Sequence, residues 1–204
     1  MGSRVVRCWH LFWAVVGLVS FAALFVACSE EAGSEESSDD ESAMLNAPFS
    51  VVEHFEPTLW GEAENVVLEA NYSEELRPGD PDGKCLRLAY EPGPTRWAAV
   101  YWQPPREAGI RTGKAVSGAS RVTFWAKGGK GGEVIDLKGA GTPAVLLLKN
   151  SKLMTLSGGW QHFEIELGDA DLSDVNGAFG VKWRSFESEN PDGLTVFLDE
   201  IRYE

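Results

Sequence analysis

The residues that could catalyse a reaction are few. After residue 46 the chain has two histidines, His54 and His162, far apart in sequence and without zinc-ligand spacing. It contains no serine nucleophile motif. Glu164 and Glu166 would share one face of a strand about 7 Å apart, pointing the same way, whereas a glycosidase needs two carboxylates flanking the scissile bond. Cys85 lies on an alternating segment, which predicts that it is a buried small hydrophobic residue. The sequence therefore predicts a protein without catalytic activity.

A dense aromatic segment offers non-covalent chemistry instead. It runs from Arg96 to two prolines, Pro104 and Pro105, which end it because proline cannot donate to a strand ladder. Alternation places Trp97 and Tyr101 on one face of this strand, and Ala98, Val100 and Trp102 on the other. A strand with aromatics on both faces needs two apolar surroundings. One is a core, and the other is a second core layer or a surface that binds something flat and partly apolar.

Short alternating segments separated by turns make up the rest of residues 47–204. No stretch shows a sustained helical period, and turns recur every 8–12 residues or so, which is typical of an antiparallel β-sandwich. Pro57–Gly61 is predicted as a loop that exposes Trp60, and Ala144–Lys149 is more uniformly apolar. The predicted strands span residues 49–55, 65–70, 84–90, 96–103, 121–127, 133–138, 160–167, 180–186 and 195–203.

The N-terminal region has the pattern of an export signal. Arg4 and Arg7 precede an uncharged run over residues 11–27, and the small Ala27 before Cys28 is typical of a bacterial lipoprotein. The alternative is an uncleaved anchor, for which this run has the minimum length. We predict a signal peptide over 1–27, a lipidated Cys28 that opens an acidic disordered tether over 28–46, and one domain over 47–204. Ser29 favours the outer membrane or cell surface over the inner membrane.

The charge of the chain limits its partners. The whole chain carries −13, and removing Arg4, Arg7 and the seven acidic residues of the tether leaves −8 for residues 47–204. An acidic domain on an acidic tether disfavours nucleic acids and anionic surfaces. We predict a monomer that contacts the membrane only through its lipid anchor and binds no nucleic acid.

Several motifs in this order resemble those of a known family. They are Trp97–Gln103, Val122–Gly128, Gly131–Val134, Gly159–Leu167 and Val196–Tyr203. The order is similar to that of the galactose-binding-like β-jelly-roll carbohydrate-binding modules attached to glycoside hydrolases, and the resemblance covers residues 48–204. It implies an all-β antiparallel jelly roll and non-catalytic binding of carbohydrate. The same fold also serves protein docking and assembly, so that alternative stays open, and a jelly-roll glycosidase is a third.

The resemblance implies a ligand site on the concave sheet. Binding a sugar ring needs aromatic platforms for its C–H faces and polar groups for its hydroxyl rim. The alternative is that these tryptophans fill the sandwich core. The predicted ligand-binding residues are Trp60, Trp97, Tyr101, Trp125, Asp136, Lys138, Trp183 and Arg184.

The family also implies a structural calcium ion between the first and last strands. The matching carboxylates are Glu56 and Asp199, with backbone carbonyls completing the shell of oxygen ligands that calcium prefers. The alternative role of Asp199 is to cap a strand end or to pair with Arg202.

Overall fold

The computed structural model describes residues 44–80, 83–138 and 152–204. The predicted signal peptide, Cys28 and the tether as far as residue 43 lie outside these residues, as does Ala144–Lys149. No helix in the described ranges is long and apolar enough to cross a membrane. The elements are β1 Leu45–Asn46, β2 Phe49–Ser50, α1 Val51–His54, β3 Glu56–Gly61, β4 Val66–Tyr72, β5 Cys85–Tyr90, β6 Trp97–Gln103, β7 Val116–Ser117, β8 Arg121–Gly128, β9 Val134–Lys138, β10 Lys152–Thr155, β11 Gln161–Glu166, β12 Phe179–Arg184 and β13 Leu194–Tyr203.

Two antiparallel sheets carry the fold of the described residues. The five-stranded sheet has the order β10-β9-β12-β6-β3, and the other sheet has the order β11-β8-β13-β5-β4, with β2 paired to the end of β13. Most connections carry the chain from one sheet to the other. Examples are the connection from β5 to β6 and the two that lead from β11 through β12 to β13. This confirms the predicted all-β antiparallel jelly-roll sandwich.

The core lies between the sheets and follows the period-2 pattern of the strands. Val100 and Trp102 on β6 face Phe124 on β8 and Val196 on β13, and all four are at most 1% exposed. Trp102 and Phe124 both contact the ring of Phe179, at centroid distances of 5.5 and 5.0 Å. Since one side of each strand packs into this core, the alternate side chains must lie on the outer faces of the sandwich.

Three segments near the start differ from the prediction. Phe49–Phe55 is not one strand: Val51–His54 makes a single helical turn closed by the Phe55 N–H on the Val51 carbonyl, 2.9 Å away. Pro57–Gly61 is not a loop but part of β3, whose outermost position tolerates a proline. Leu45–Asn46, assigned to the tether, pairs with β7 in register with Val116 and Ser117.

Candidate functional site

The outer face of the five-stranded sheet gathers most of the predicted ligand-binding residues. Register places Leu153, Asp136, Lys182, Ala99 and Trp60 in one row across the five strands. The next row carries Lys138, Gly180, Tyr101 and Thr58, and Arg184 lies opposite Trp97 on the other side of the first row. We call this surface the aromatic face, defined by Thr58, Trp60, Trp97, Ala99, Tyr101, Asp136, Lys138, Leu153, Gly180, Lys182 and Arg184.

Two of its aromatic rings lie against glycines of neighbouring strands. A Cβ built on Gly180 would lie 2.6 Å from Cε1 of Tyr101, so the tyrosine ring covers this glycine. A Cβ on Gly61 would lie 2.8 Å from Cε3 of Trp97, and Gly61 also has a φ of +75°, which favours glycine. Trp60 is 47% exposed and stands edge-on to Tyr101, with ring centroids 6.3 Å apart. The sheet therefore presents three aromatic rings, two of them fixed by close backbone contact.

Charged groups lie among these rings. Asp136 and Lys138 form an ion pair of 2.8 Å, with the lysine side chain only 4% exposed. Burial, together with the Asp136 carboxylate, raises the pKa of Tyr101 to about 12, so its hydroxyl remains a hydrogen-bond donor at neutral pH. The ammonium of Lys182 lies 5.2 Å from the ring centroid of Trp97 in a cation–π contact.

A depression of about 140 Å³ opens between β9, β10 and β12 on this face. Asp136, Leu153, Lys182, Arg184 and Glu189 are among the residues that line it. Two carboxylates thus share one depression, and the one on Asp136 is paired with the ammonium of Lys138, which places it as a hydrogen-bond acceptor in this depression.

Glu62 fixes the approach to Trp97 and was not singled out by the sequence. Its carboxylate accepts hydrogen bonds from the Tyr90 hydroxyl at 2.5 Å and from the backbone N–H groups of Gly93, Thr95 and Arg96. Its own N–H donates to the Trp97 carbonyl, 3.1 Å away. Burial would raise the pKa of Glu62, but these hydrogen bonds outweigh it and lower the pKa to about 2. One ionised side chain therefore holds the turn that leads into β6.

Trp125 is not part of the aromatic face. It lies on the outer face of the other sheet, in register with Asp199 on β13 and His162 on β11. The guanidinium of Arg77 covers its ring at 5.0 Å and pairs with Asp199 at 2.9 Å. The prediction that Trp125 shares a site with Trp97 is wrong, since their strands belong to different sheets.

A segment before β5 covers part of that second face. Glu75 binds Lys127 at 2.6 Å, and its carbonyl accepts a hydrogen bond from the thiol of Cys85 at 3.4 Å. Cys85 is 4% exposed, as a buried small hydrophobe would be. Burial and then the carboxylates of Asp199, Asp80 and Glu75 raise the pKa of its thiol to about 11, which makes it a poor nucleophile.

The two carboxylates expected to hold calcium lie on strands of different sheets. Glu56 is exposed on β3 in the five-stranded sheet, opposite Gln103, whereas Asp199 belongs to the other sheet and already binds Arg77 and the N–H of Glu200. Nowhere in residues 44–80, 83–138 and 152–204 do three or more acidic, histidine or cysteine side chains cluster as metal ligands. A calcium ion held by Glu56, Asp199 and backbone carbonyls therefore stays a prediction.

Trp183 is the second of the predicted ligand-binding residues that the structure places away from the aromatic face. It is 1% exposed and belongs to the core, where its ring lies tilted against that of Tyr90 with centroids 5.8 Å apart. The reason is that β12 turns Lys182 and Arg184 outward and Trp183 inward. Trp60, Trp97, Tyr101, Asp136, Lys138 and Arg184 do lie together. Lys182 and Leu153 also belong to this face but are not among the predicted ligand-binding residues. For Lys182 the signal was present, since it alternates with Trp183.

The fold and this face define an all-β jelly-roll sandwich with an aromatic, partly charged outer surface on one sheet. No protein-family model matches the sequence, and no curated protein matches it. Among solved structures, the chain is similar to a family 11 carbohydrate-binding module of a cellulosomal cellulase of Clostridium thermocellum, with 11% identity, a TM-score of 0.48 and coverage of 79% of this chain and 95% of that one.

Two further solved structures show a similar degree of likeness. A family 30 carbohydrate-binding module has 15% identity and a TM-score of 0.47, covering 78% of this chain and 84% of its own. A family 29 module complexed with mannohexaose has 8% identity and a TM-score of 0.44, covering 74% and 80%. The identities are low, and the fold is assigned from the strands of this chain.

Proposed function

We propose that the protein is a non-catalytic saccharide-binding protein that recognises a poly- or oligosaccharide of mainly neutral sugars on its aromatic face. The observation that carries the proposal is the combination of Trp60, Trp97 and Tyr101 with polar groups on one exposed surface. Sugar rings present apolar C–H patches to aromatic faces and hydroxyl groups to charged or amide side chains. The aromatic face supplies both aromatic rings and charged side chains on adjacent strands.

The mixture of charges and rings on this face favours a sugar over a protein partner. A docking surface for a protein would be a contiguous apolar patch with charges at its rim. Here Lys182 and Asp136 lie in the same row as Trp60, and the depression is lined by charged side chains. A protein-interaction role with the same fold is therefore the second candidate, and hydrolysis is the third.

We also propose that the chain is displayed outside the cytoplasm on a lipid attached to Cys28, at the outer membrane or cell surface. The proposal is supported by the basic residues, the apolar run and the small residue before Cys28. The acidic segment that follows would hold the domain away from the lipid headgroups, because like charges keep such a segment extended.

The test of saccharide binding is a glycan-array screen of the full chain, purified in mild detergent, beside a Trp97→Ala, Tyr101→Ala double variant. We expect binding to at least one neutral glycan and its loss in a double variant that still unfolds cooperatively. Trp125→Ala is the matched control, since this tryptophan lies on the outer face of the other sheet, and it should retain binding. Absence of binding to every glycan, or release of reducing sugar from one, would contradict the proposal.

A further inference from the structure

Two cations on the aromatic face form no ion pair with a carboxylate of the described residues. Lys182 and Arg184 are alternate residues of β12 and project from the same side of the sheet. Within residues 44–80, 83–138 and 152–204, neither side chain forms an ion pair. Asp136, which lies opposite Lys182 in register, is paired with Lys138. Glu189 lines the same depression without an ion pair to either cation.

The surroundings of Lys182 compensate its charge only in part. Its ammonium packs over the ring of Trp97 rather than against a carboxylate. Burial, then the positive charges of Arg184 and Lys138, lower the pKa of Lys182, and Asp136 opposes this only in part. A partly desolvated cation beside a second cation is an arrangement that an incoming anion would stabilise.

The chemistry of the pair points to a carboxylate. The planar guanidinium of an arginine matches the two oxygens of a carboxylate, and a neighbouring lysine adds a flexible point charge. Alternate residues of a strand are about 7 Å apart, so both long side chains can reach one group between them. The net charge of −8 on residues 47–204 acts in the opposite direction at long range, repelling a ligand with many acidic groups.

Resting on the proposed saccharide binding, we propose that Lys182 and Arg184 bind a single carboxylate of an otherwise neutral glycan, such as an isolated uronic acid residue. The aromatic rings then bind the neutral sugars, and the cation pair selects chains that carry sparse acidic groups. Densely acidic chains are excluded by the charge of the domain as a whole.

The experiment compares ligands that differ only in carboxylates. Mannan and mixed-linkage β-glucan oligosaccharides are each used in neutral form, after sparse oxidation of the primary hydroxyls to carboxylates, and after full oxidation. Glucuronoxylan is compared with its carboxyl-reduced form. Binding is measured by calorimetry at low salt with the full chain, its Lys182→Gln and Arg184→Gln variants, and Lys84→Gln as a control of equal charge change at an exposed position just before β5.

The sparsely acidic form should bind about tenfold more tightly than its neutral parent, as expected for one charge-assisted contact. The fully oxidised form should bind less tightly than the sparse one. In Lys182→Gln and Arg184→Gln the ratio of sparse to neutral affinity should fall towards one, whereas Lys84→Gln should keep it. Equal binding of neutral and acidic forms by the wild type would overturn this inference alone. If none of these glycans binds in any of its forms, the proposed function is overturned together with this inference.

Discussion

Replacing Gly180 by alanine would test whether the position of the Tyr101 ring matters for binding. The new Cβ would lie 2.6 Å from Cε1 of Tyr101 and closer still to Cδ1, whereas ordinary contact begins near 3.4 Å. The ring must therefore move by about 1 Å or rotate away from its present rotamer, at a cost of about 0.5–1.5 kcal/mol. The backbone of Gly180 has no left-handed φ, so alanine introduces no conformational strain.

The effects of this substitution on stability and on binding should differ. Crowding destabilises the fold by about 1–3 kcal/mol. Alanine also restricts the unfolded chain, which stabilises the fold by about 0.4–1 kcal/mol. The net loss of stability should therefore be about 1 kcal/mol. Loss of a correctly placed aromatic platform should cost about 0.5–1.5 kcal/mol of binding free energy, up to about tenfold in Kd.

The assay is calorimetric titration of a glycan identified by the array, combined with urea denaturation. Gly159→Ala is the matched control, because its Cβ would have only the Ser157 hydroxyl within reach, at 3.9 Å. It should leave Kd unchanged and raise the stability by about 0.4–1 kcal/mol, because no clash opposes the restriction of the unfolded chain. An unaltered Kd in a Gly180→Ala variant with the expected loss of stability would show that the ring of Tyr101 does not support the ligand where the structure places it.

Two further predictions concern Glu62 and Cys28. The pKa of Glu62 is about 2 in the folded protein against 4.5 normally, so its ionisation stabilises the fold above pH 4.5, and that contribution is lost as the pH falls towards 2. Glu62→Gln should therefore be less stable than the wild type at neutral pH, with the gap closing over this interval in urea titrations; a gap independent of pH would contradict it. Cys28→Ala should prevent lipid attachment, so that labelled fatty acid supplied to the cells is incorporated into the wild type and not into Cys28→Ala; equal incorporation would refute a lipid at this residue.

The sheets were predictable where alternation is strong and a strand has one buried side. Trp97, Tyr101 and Trp102 take the faces that the period of two gives them, because β6 lies centrally and one side must enter the core. The segment Phe49–Phe55 also alternates but forms a helical turn, since tertiary packing of Phe49 and Phe55 decides a segment this short. Local pattern alone does not separate these cases.

The site was less predictable because it depends on which strands become neighbours. Trp125 and Trp97 have similar surroundings in sequence, and only the long-range order of the strands assigns them to different sheets. Trp183 is a different kind of error, because alternation alone forbids it from sharing a face with Arg184. Glu62 gave no recognisable signal, since its four hydrogen-bond donors come from the end of β5 and the turn after it, about thirty residues further along the chain.

The outermost strands have a consequence for encounters between copies of the protein. Open strand edges can recruit a second chain and start aggregation, and short, irregular or charged strands prevent this. Here β3 contains Pro57, β10 has four residues, β4 changes register after Glu69, and β11 exposes Glu164 and Glu166. If many copies are concentrated on one membrane surface, such edges would let neighbouring domains collide without joining their sheets, and would leave the aromatic face of each available.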